Sequence, residues 1–219
     1  MATILCLETA TTNCSVALSE NGSVIAFRED NSKKYSHAER LHVFIEEALE
    51  EANINLNDIS AIAISKGPGS YTGLRIGVSS AKGLCYSLDK PLISIPTLQS
   101  LVMQVKDQTD YIIPMLDARR MEVYASVYNG KKQEIRNTKA EVLNENSFSE
   151  YLEKGTVTFI GNGVVKFKEI CNHANAKFVE GKMPTALSMA FLANEKFQQN
   201  DFEDVAYFEP YYLKDFIKT

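Results

Sequence analysis

None of the four cysteines, Cys6, Cys14, Cys85 and Cys171, stands in a C-x-x-C pair. A zinc knuckle or a disulfide framework is therefore not expected, and buried free thiols in a reducing compartment are. Dense runs of Lys and Arg are missing as well: the net charge is −5 and the isoelectric point is near 5.3. Chains that hold nucleic acid mainly by themselves carry a basic stripe, so this one does not read as a self-sufficient nucleic-acid binder. No segment approaches the ~20 apolar residues of a membrane span. The N-terminus, Met1 to Glu8, lacks the basic flank and long apolar run of a signal peptide. A cytoplasmic protein with no membrane attachment is the expectation. With 219 residues, 45% of them hydrophobic, the chain can bury a substantial core in one or two domains.

The pattern then reads in order. Thr3 to Glu8, Cys14 to Ser19 and Val24 to Glu29 are strand-length runs. Asn21-Gly22 between the last two is a strong hairpin signal, because a type I′ turn needs positive φ at both central residues. A helix follows over about 36–52, with Ser36 and Glu39 spaced as a capping box. Its apolar stripe is Ala38, Leu41, Ile45, Ala48, Leu49 and Ala52, widened by Phe44. Next come a strand at 61–65, a glycine-rich loop from Gly67, a helix over 73–88, a strand at 91–95 and a helix from Thr97 to Val105. After Gln108 the order starts again. Strands are expected at 111–116, 122–128 and 131–136, a helix at 147–154, a strand at 157–160, a helix at 164–171, a strand at 176–179 and a helix at 185–198. Asn129-Gly130 repeats the hairpin signal 108 residues after the first, and Asp117 repeats the strand-ending acid Glu8 after 109. A duplicated β-β-β-α-β-α-β-α unit is the plan of the actin-like, sugar-kinase-like ATPase fold, two ribonuclease-H-like halves facing a cleft. The halves fall at 1–108 and 109–219, with the last helix and tail free to return to the first half.

Several chemistries lack their residues. The stretch Gly67-Pro68-Gly69-Ser70-Tyr71-Thr72-Gly73 has no closing Gly-Lys-Ser/Thr, so it is not a P-loop. Thr72 stands where a dinucleotide fingerprint needs its third glycine. Ser70 is not in a Gly-x-Ser-x-Gly elbow, and no His is placed by sequence to serve it. His37 and His42 lie about 140° apart around a helix at ~100° per residue, so both cannot reach one ion. They are read as solvated or partner-facing, His173 as a loop residue, and no metal site is expected. The two turns that hold phosphates in this fold are Glu8-Thr9-Ala10-Thr11-Thr12-Asn13 and Asp117-Ala118-Arg119-Arg120-Met121-Glu122, neither with a glycine. Gly161-Asn162-Gly163 suits an adenosine contact or an ordinary turn, and Arg119-Arg120 an anion or one salt bridge and one solvated side chain. On the 73–88 helix, Gly73, Gly77, Ser80/Ala81 and Leu84 form a small-residue face. A helix glycine costs ~1 kcal/mol against alanine, and close approach of another helix, from 36–52 or from another subunit, is the natural compensation.

Together these residues resemble one family, TsaB (also called YeaZ), a subunit of the bacterial machinery that makes threonylcarbamoyladenosine on tRNA. The resemblance lies in Ile4-Leu5-Cys6-Leu7-Glu8-Thr9-Ala10 with Cys14 to Leu18, in Gly67 through Gly77 with Ala81-Lys82-Gly83-Leu84, in Asp117-Ala118-Arg119-Arg120 with Glu122-Val123-Tyr124, and in Pro210-Tyr211-Tyr212-Leu213-Lys214. Beyond Asn129 the likeness is one of layout. It implies a non-catalytic dimerisation and activating subunit paired with a TsaD-type catalytic paralogue, which transfers threonylcarbamoyl to N6 of adenosine 37 in tRNAs reading codons that begin with A. A TsaE-type P-loop ATPase joins the pair, a self-dimer is compatible, and tRNA is met indirectly, through the complex. Pairing through the first two helices implies an interface of His37, Arg40, Leu41, Phe44, Leu74, Arg75, Gly77, Val78, Ala81 and Lys82. Weak nucleotide or anion contact is implied at Glu8, Thr9, Thr11, Asn13, Asp117, Arg119 and Gly161, with no intrinsic cofactor and ATP or ADP at the complex interface. Glu8 stands where the family commonly has Asp. The residues by themselves leave an active actin-fold ATPase or small-molecule kinase open as the alternative; a metallopeptidase-like protein, less expected, is a reading that only the resemblance to the wider superfamily implies.

Overall fold

The computed structural model describes residues 1–32 and 37–214. Ser36, and with it the expected capping box, lies outside them. The contacts divide the chain into two compact units, Met1–Ser100 with Pro184–Thr219, and Leu101–Met183. The sequence-based division at 108/109 does not coincide with these limits.

In the first unit, β1 (Thr3–Glu8), β2 (Cys14–Glu20), β3 (Ser23–Asp30), β4 (Ala61–Gly67) and β5 (Leu92–Pro96) form one sheet in the order β3-β2-β1-β4-β5. β1 pairs antiparallel with β2 and parallel with β4, and β4 pairs parallel with β5. Asn21 and Gly22 both have positive φ, 49° and 83°, as a two-residue type I′ hairpin requires. β1 is buried along its whole length, and helices on both faces explain this. Leu5, Leu7, Ile62 and Ile64 meet Leu41, Ile45 and Val78 of α1 (His37–Ala52) and α2 (Tyr71–Leu88). Ile4, Cys6 and Ala63 alternate to the other face. The helix from Ala190 to Gln198 packs on β5 and β1, which is why the contacts join the segment from Pro184 onward to this unit.

The second unit repeats the order. β6 (Tyr111–Asp117), β7 (Glu122–Asn129), β8 (Glu134–Val142), β9 (Val157–Ile160) and β10 (Ala176–Val179) run β10-β9-β6-β7-β8. The pairing sense is preserved: β6 is antiparallel to β7 and parallel to β9. Phe148, Phe159, Phe167 and Phe178 pack edge-to-face or stacked in its core. The duplicated ribonuclease-H-like plan of the actin-like fold is thus present. Two local expectations fail. Asn129-Gly130 is not a second type I′ turn: Lys132, at φ 62°, takes the left-handed position, and Asn129 Oδ1 accepts from Lys131 N and Gln133 N, so the connection is longer. That length moves the third strand from 131–136 to Glu134–Val142. The 185–198 helix begins as a 3₁₀ turn over Ala186–Ser188.

Candidate functional site

The first turn, between β1 and β2, is closed by its own chain. Thr9 Oγ1 donates to Gly73 O at 2.8 Å, and Ser70 N donates to Ala10 O at 2.7 Å. Asn13 Nδ2 donates to Glu29 Oε1 and to Pro184 O, at 2.7 and 2.8 Å. His37 Nε2 lies 2.7 Å from Thr11 O. Glu8 is fully buried. Its Oε1 accepts from Ala10 N at 2.6 Å, while Oε2 has no partner among the described residues. Burial pushes the Glu8 carboxyl up to about 7, against the Ala10 N–H hydrogen bond that pulls it down. The hydroxyls and the amide that the sequence offered to a phosphate are engaged inside the first unit.

The glycines of the 67–77 stretch explain that closure. A Cβ on Gly69 would lie 2.3 Å from Ala10 O, one on Gly73 2.1 Å from Thr9 O, and one on Gly77 2.2 Å from Thr9 Oγ1. The bare face of α2 therefore admits the chain's own β1–β2 turn, and the expectation that it admits another helix is corrected. Gly83 is the exception, exposed, with nothing within 4 Å of its missing Cβ. Ser70 is the N-cap of α2, its hydroxyl accepting from Gly73 N at 3.3 Å.

The residues implied for pairing divide by burial. His37, Leu41, Phe44, Leu74, Gly77, Val78 and Ala81 are buried in the first unit. The reading of His37 as solvated or partner-facing is accordingly corrected, since its ring is turned inward onto Thr11 O. Arg40, Arg75 and Lys82 remain at the surface. Arg40 reaches Asp30 at 3.8 Å. Arg75 lies over the Tyr71 ring, 4.2 Å from its centroid, with Nε donating to Tyr212 Oη at 3.3 Å. Lys82 Nζ donates to Ala206 O and Phe208 O. Residues 203–212 thus form a strap along α2, anchored further by Tyr211 N donating to Lys66 O at 2.7 Å. Among the residues that α1 and α2 leave exposed are His42, which meets Ser80 Oγ at 3.3 Å, Val43, Ser79, Gly83 and Tyr86.

In the second unit, Asp117 ends β6 as expected, but its carboxylate is compensated. Lys166 Nζ and Arg119 N each stand 2.6 Å from Asp117 Oδ1, and Asp117 N donates to Asn162 Oδ1 at 2.9 Å. Gly161 has φ 121°, and a Cβ there would lie 2.2 Å from Met115 O, so this glycine serves the exit of β9 beside β6. Lys166 belongs to no motif of the sequence, and Asn162 enters it only within the Gly161-Asn162-Gly163 turn, with no link to Asp117; they lie 49 and 45 residues from that acid. Among the described residues no three His, Cys, Asp or Glu side chains gather as metal ligands. Cys6, Cys14 and Cys85 are buried and pushed up to about 12 by that burial, a state unsuited to nucleophilic thiolate chemistry. No helix among the described residues is long and apolar enough to cross a membrane.

Comparison with known proteins gives a consistent set of relatives. The family model described as "TsaD: tRNA N6-adenosine threonylcarbamoyltransferase" matches residues 31–217. The tRNA threonylcarbamoyladenosine biosynthesis protein TsaB of Escherichia coli is 30% identical, over 97% of this chain and 94% of its own. The tRNA N6-adenosine threonylcarbamoyltransferase of Staphylococcus haemolyticus is 36% identical over 42% of this chain and 31% of its own. Among solved structures, YeaZ from Pseudomonas aeruginosa superimposes with a TM-score of 0.84 at 25% identity, covering 97% of this chain and 100% of that one.

Proposed function

The chain belongs to the TsaB family of tRNA threonylcarbamoyladenosine biosynthesis proteins, and from that premise we propose that it is a non-catalytic subunit which activates a TsaD-type catalytic paralogue. The observation that carries this reading is the closed β1–β2 turn. Phosphoryl and acyl-transfer chemistry needs free donors and charges aimed at a reacting group. Here Thr9, Thr11, Asn13 and Glu8 are tied into the first unit. The likeness to a threonylcarbamoyltransferase supports a common ancestry with the enzyme, and so the use of one fold for a catalytic and a helper chain.

Pairing in this reading uses the outer surfaces of α1 and α2. Val43 is an apolar side chain 42% exposed on α1. Gly83, mid-helix and bare, carries the helix penalty of glycine without any intrachain approach to offset it. A TsaE-type ATPase joins the pair, a self-dimer uses the same helices when the paralogue is missing, and ATP or ADP belongs to the assembled interface. The test is reconstitution with the paralogue of the same organism. The chain alone gives no threonylcarbamoyl transfer and no ATP turnover, its addition raises transfer by the paralogue, and Val43→Glu abolishes both pairing and the rise. Micromolar ATP binding with turnover by the purified chain would overturn the reading in favour of an active ATPase or kinase.

A further inference from the structure

The sequence has six arginines. Arg28 bonds Glu47 and Glu51, Arg40 meets Asp30, Arg75 is held between Tyr71 and Tyr212, and Arg136 grips Glu141 with both terminal nitrogens. Arg119 and Arg120 differ: both are exposed, and neither guanidinium makes a hydrogen bond or ion pair with a described residue. They also occupy an unfavourable backbone. Their φ angles are 71° and 47°, a left-handed pair in which L side chains are strained and glycine is not. The turn is locked there by Ala118 N donating to Glu122 O and Glu122 N to Arg119 O, each 3.0 Å, and by Leu143 N donating to Met121 O at 2.7 Å. Asp117, whose carboxylate accepts from Arg119 N, is already compensated by Lys166 at 2.6 Å. Around the turn stand Arg119, Arg120 and Lys166 with Asp117, Glu122 and, across the cleft beside Met121, Glu145; of the three cations, Lys166 is the one ion-paired to a described residue.

Strain persists where the surrounding structure enforces it, and it concentrates at ligand contacts. Two adjacent planar forks with no partner among the described residues suit neighbouring phosphate oxygens, which guanidinium groups bind bidentately. A free nucleotide would require an enclosed pocket burying most of its surface. This turn is instead exposed, and the cleft beside Met121, lined by Leu143, Asn144, Glu145, Asn146 and Ile170, is open and holds a carboxylate. We propose that the Arg119–Arg120 turn is a direct contact for the phosphodiester backbone of the tRNA being modified. The inference rests on membership of a tRNA-modifying family and not on the pairing surface of α1 and α2.

The test titrates tRNA against the isolated chain and against its complex with the catalytic paralogue, over a series of salt concentrations, with gel filtration reporting assembly. Arg119→Glu with Arg120→Glu lowers the affinity at least tenfold. It also reduces the slope of log K against log salt by roughly 1.4–1.8, as loss of two phosphate contacts requires. Arg119→Gly with Arg120→Gly gives a similar reduction in slope while the melting temperature holds or rises, a combination a purely structural turn would not produce. Unchanged tRNA affinity in both double variants overturns the proposal, as does loss of ATP affinity in place of tRNA affinity, or dissociation of the complex by the glycine pair. Failure of the wild-type chain to assemble counts against the pairing reading alone, because the isolated chain still reports the RNA contact.

Discussion

Glu8 shows how one residue's surroundings decide its chemistry. An exposed glutamate at the end of a strand is an ordinary metal or phosphate-site acid. Fully buried under the β1–β2 turn, with one oxygen unpartnered among the described residues, it favours its neutral form. Burial raises its pKa to about 7 from the ordinary glutamate value of 4.5. The native state therefore binds the extra proton between those limits, and the associated stability is complete below about 4.5 and lost as pH rises through about 7. The window is worth on the order of 3 kcal/mol. Glu8→Gln is expected to flatten the dependence of melting temperature on pH between 5 and 8 and to raise stability at pH 8, which thermal melts across that range check. Gly77 gives the opposite kind of prediction. Gly77→Ala places a methyl group 2.2 Å from Thr9 Oγ1 and 2.9 Å from Ile64 Cδ1, so it is expected to destabilise by about 1–3 kcal/mol, measurable by urea unfolding. A charged residue at Gly77 or Leu74 would disrupt the fold before it reported on pairing.

At the scale of elements, α2 is held from three sides. Ser70 caps it, the Thr9 turn fills its bare face, and the strap from Glu203 to Tyr212 lies along its outer edge. Ser70→Ala removes the cap and is expected to cost ~1 kcal/mol. Tyr212→Ala removes the ring beside Tyr71 and the acceptor of Arg75. Faster amide hydrogen exchange in the first two turns of α2, with the sheet amides unchanged, is the expected consequence. Gly83→Ala separates stability from binding. The isolated chain gains ~1 kcal/mol from helix propensity, while pairing with the catalytic paralogue weakens if the bare surface at Gly83 is the contact. A gain in stability with unchanged pairing would remove Gly83 from the proposed interface.

For the whole molecule, the chain order of elements differs from their grouping. The segment from Pro184 onward follows the second sheet in sequence and packs with the first. Pro184 O accepts from Asn13 Nδ2, Ala186 N donates to Ser15 Oγ at 2.9 Å, and Glu203 bridges to Leu92 of the edge strand β5. Truncation after Met183 uncovers the Ile4, Cys6 and Ala63 face of the first sheet. The product is expected to be insoluble or to bind hydrophobic dye strongly, while the full-length chain does neither.

Strand runs, the Asn21-Gly22 hairpin and the repeated order were legible because they are local: alternation, turn chemistry and helical spacing are written in consecutive residues. The same local reading gave the duplicated fold and, through the Gly67–Gly77 and Asp117–Arg120 stretches, the family. It also separated the Gly67–Gly73 stretch from the P-loop and from the dinucleotide fingerprint. The tertiary structure alone decided what the small residues are for. Thr9 meets Gly73 across 64 residues and Asn13 meets Pro184 across 171, and such pairings depend on how the sheet brings distant turns together. For that reason the glycine face of α2 admits the chain's own turn, Asp117 is matched by a lysine no motif announces, and Arg119 and Arg120 are left exposed without a partner among the described residues.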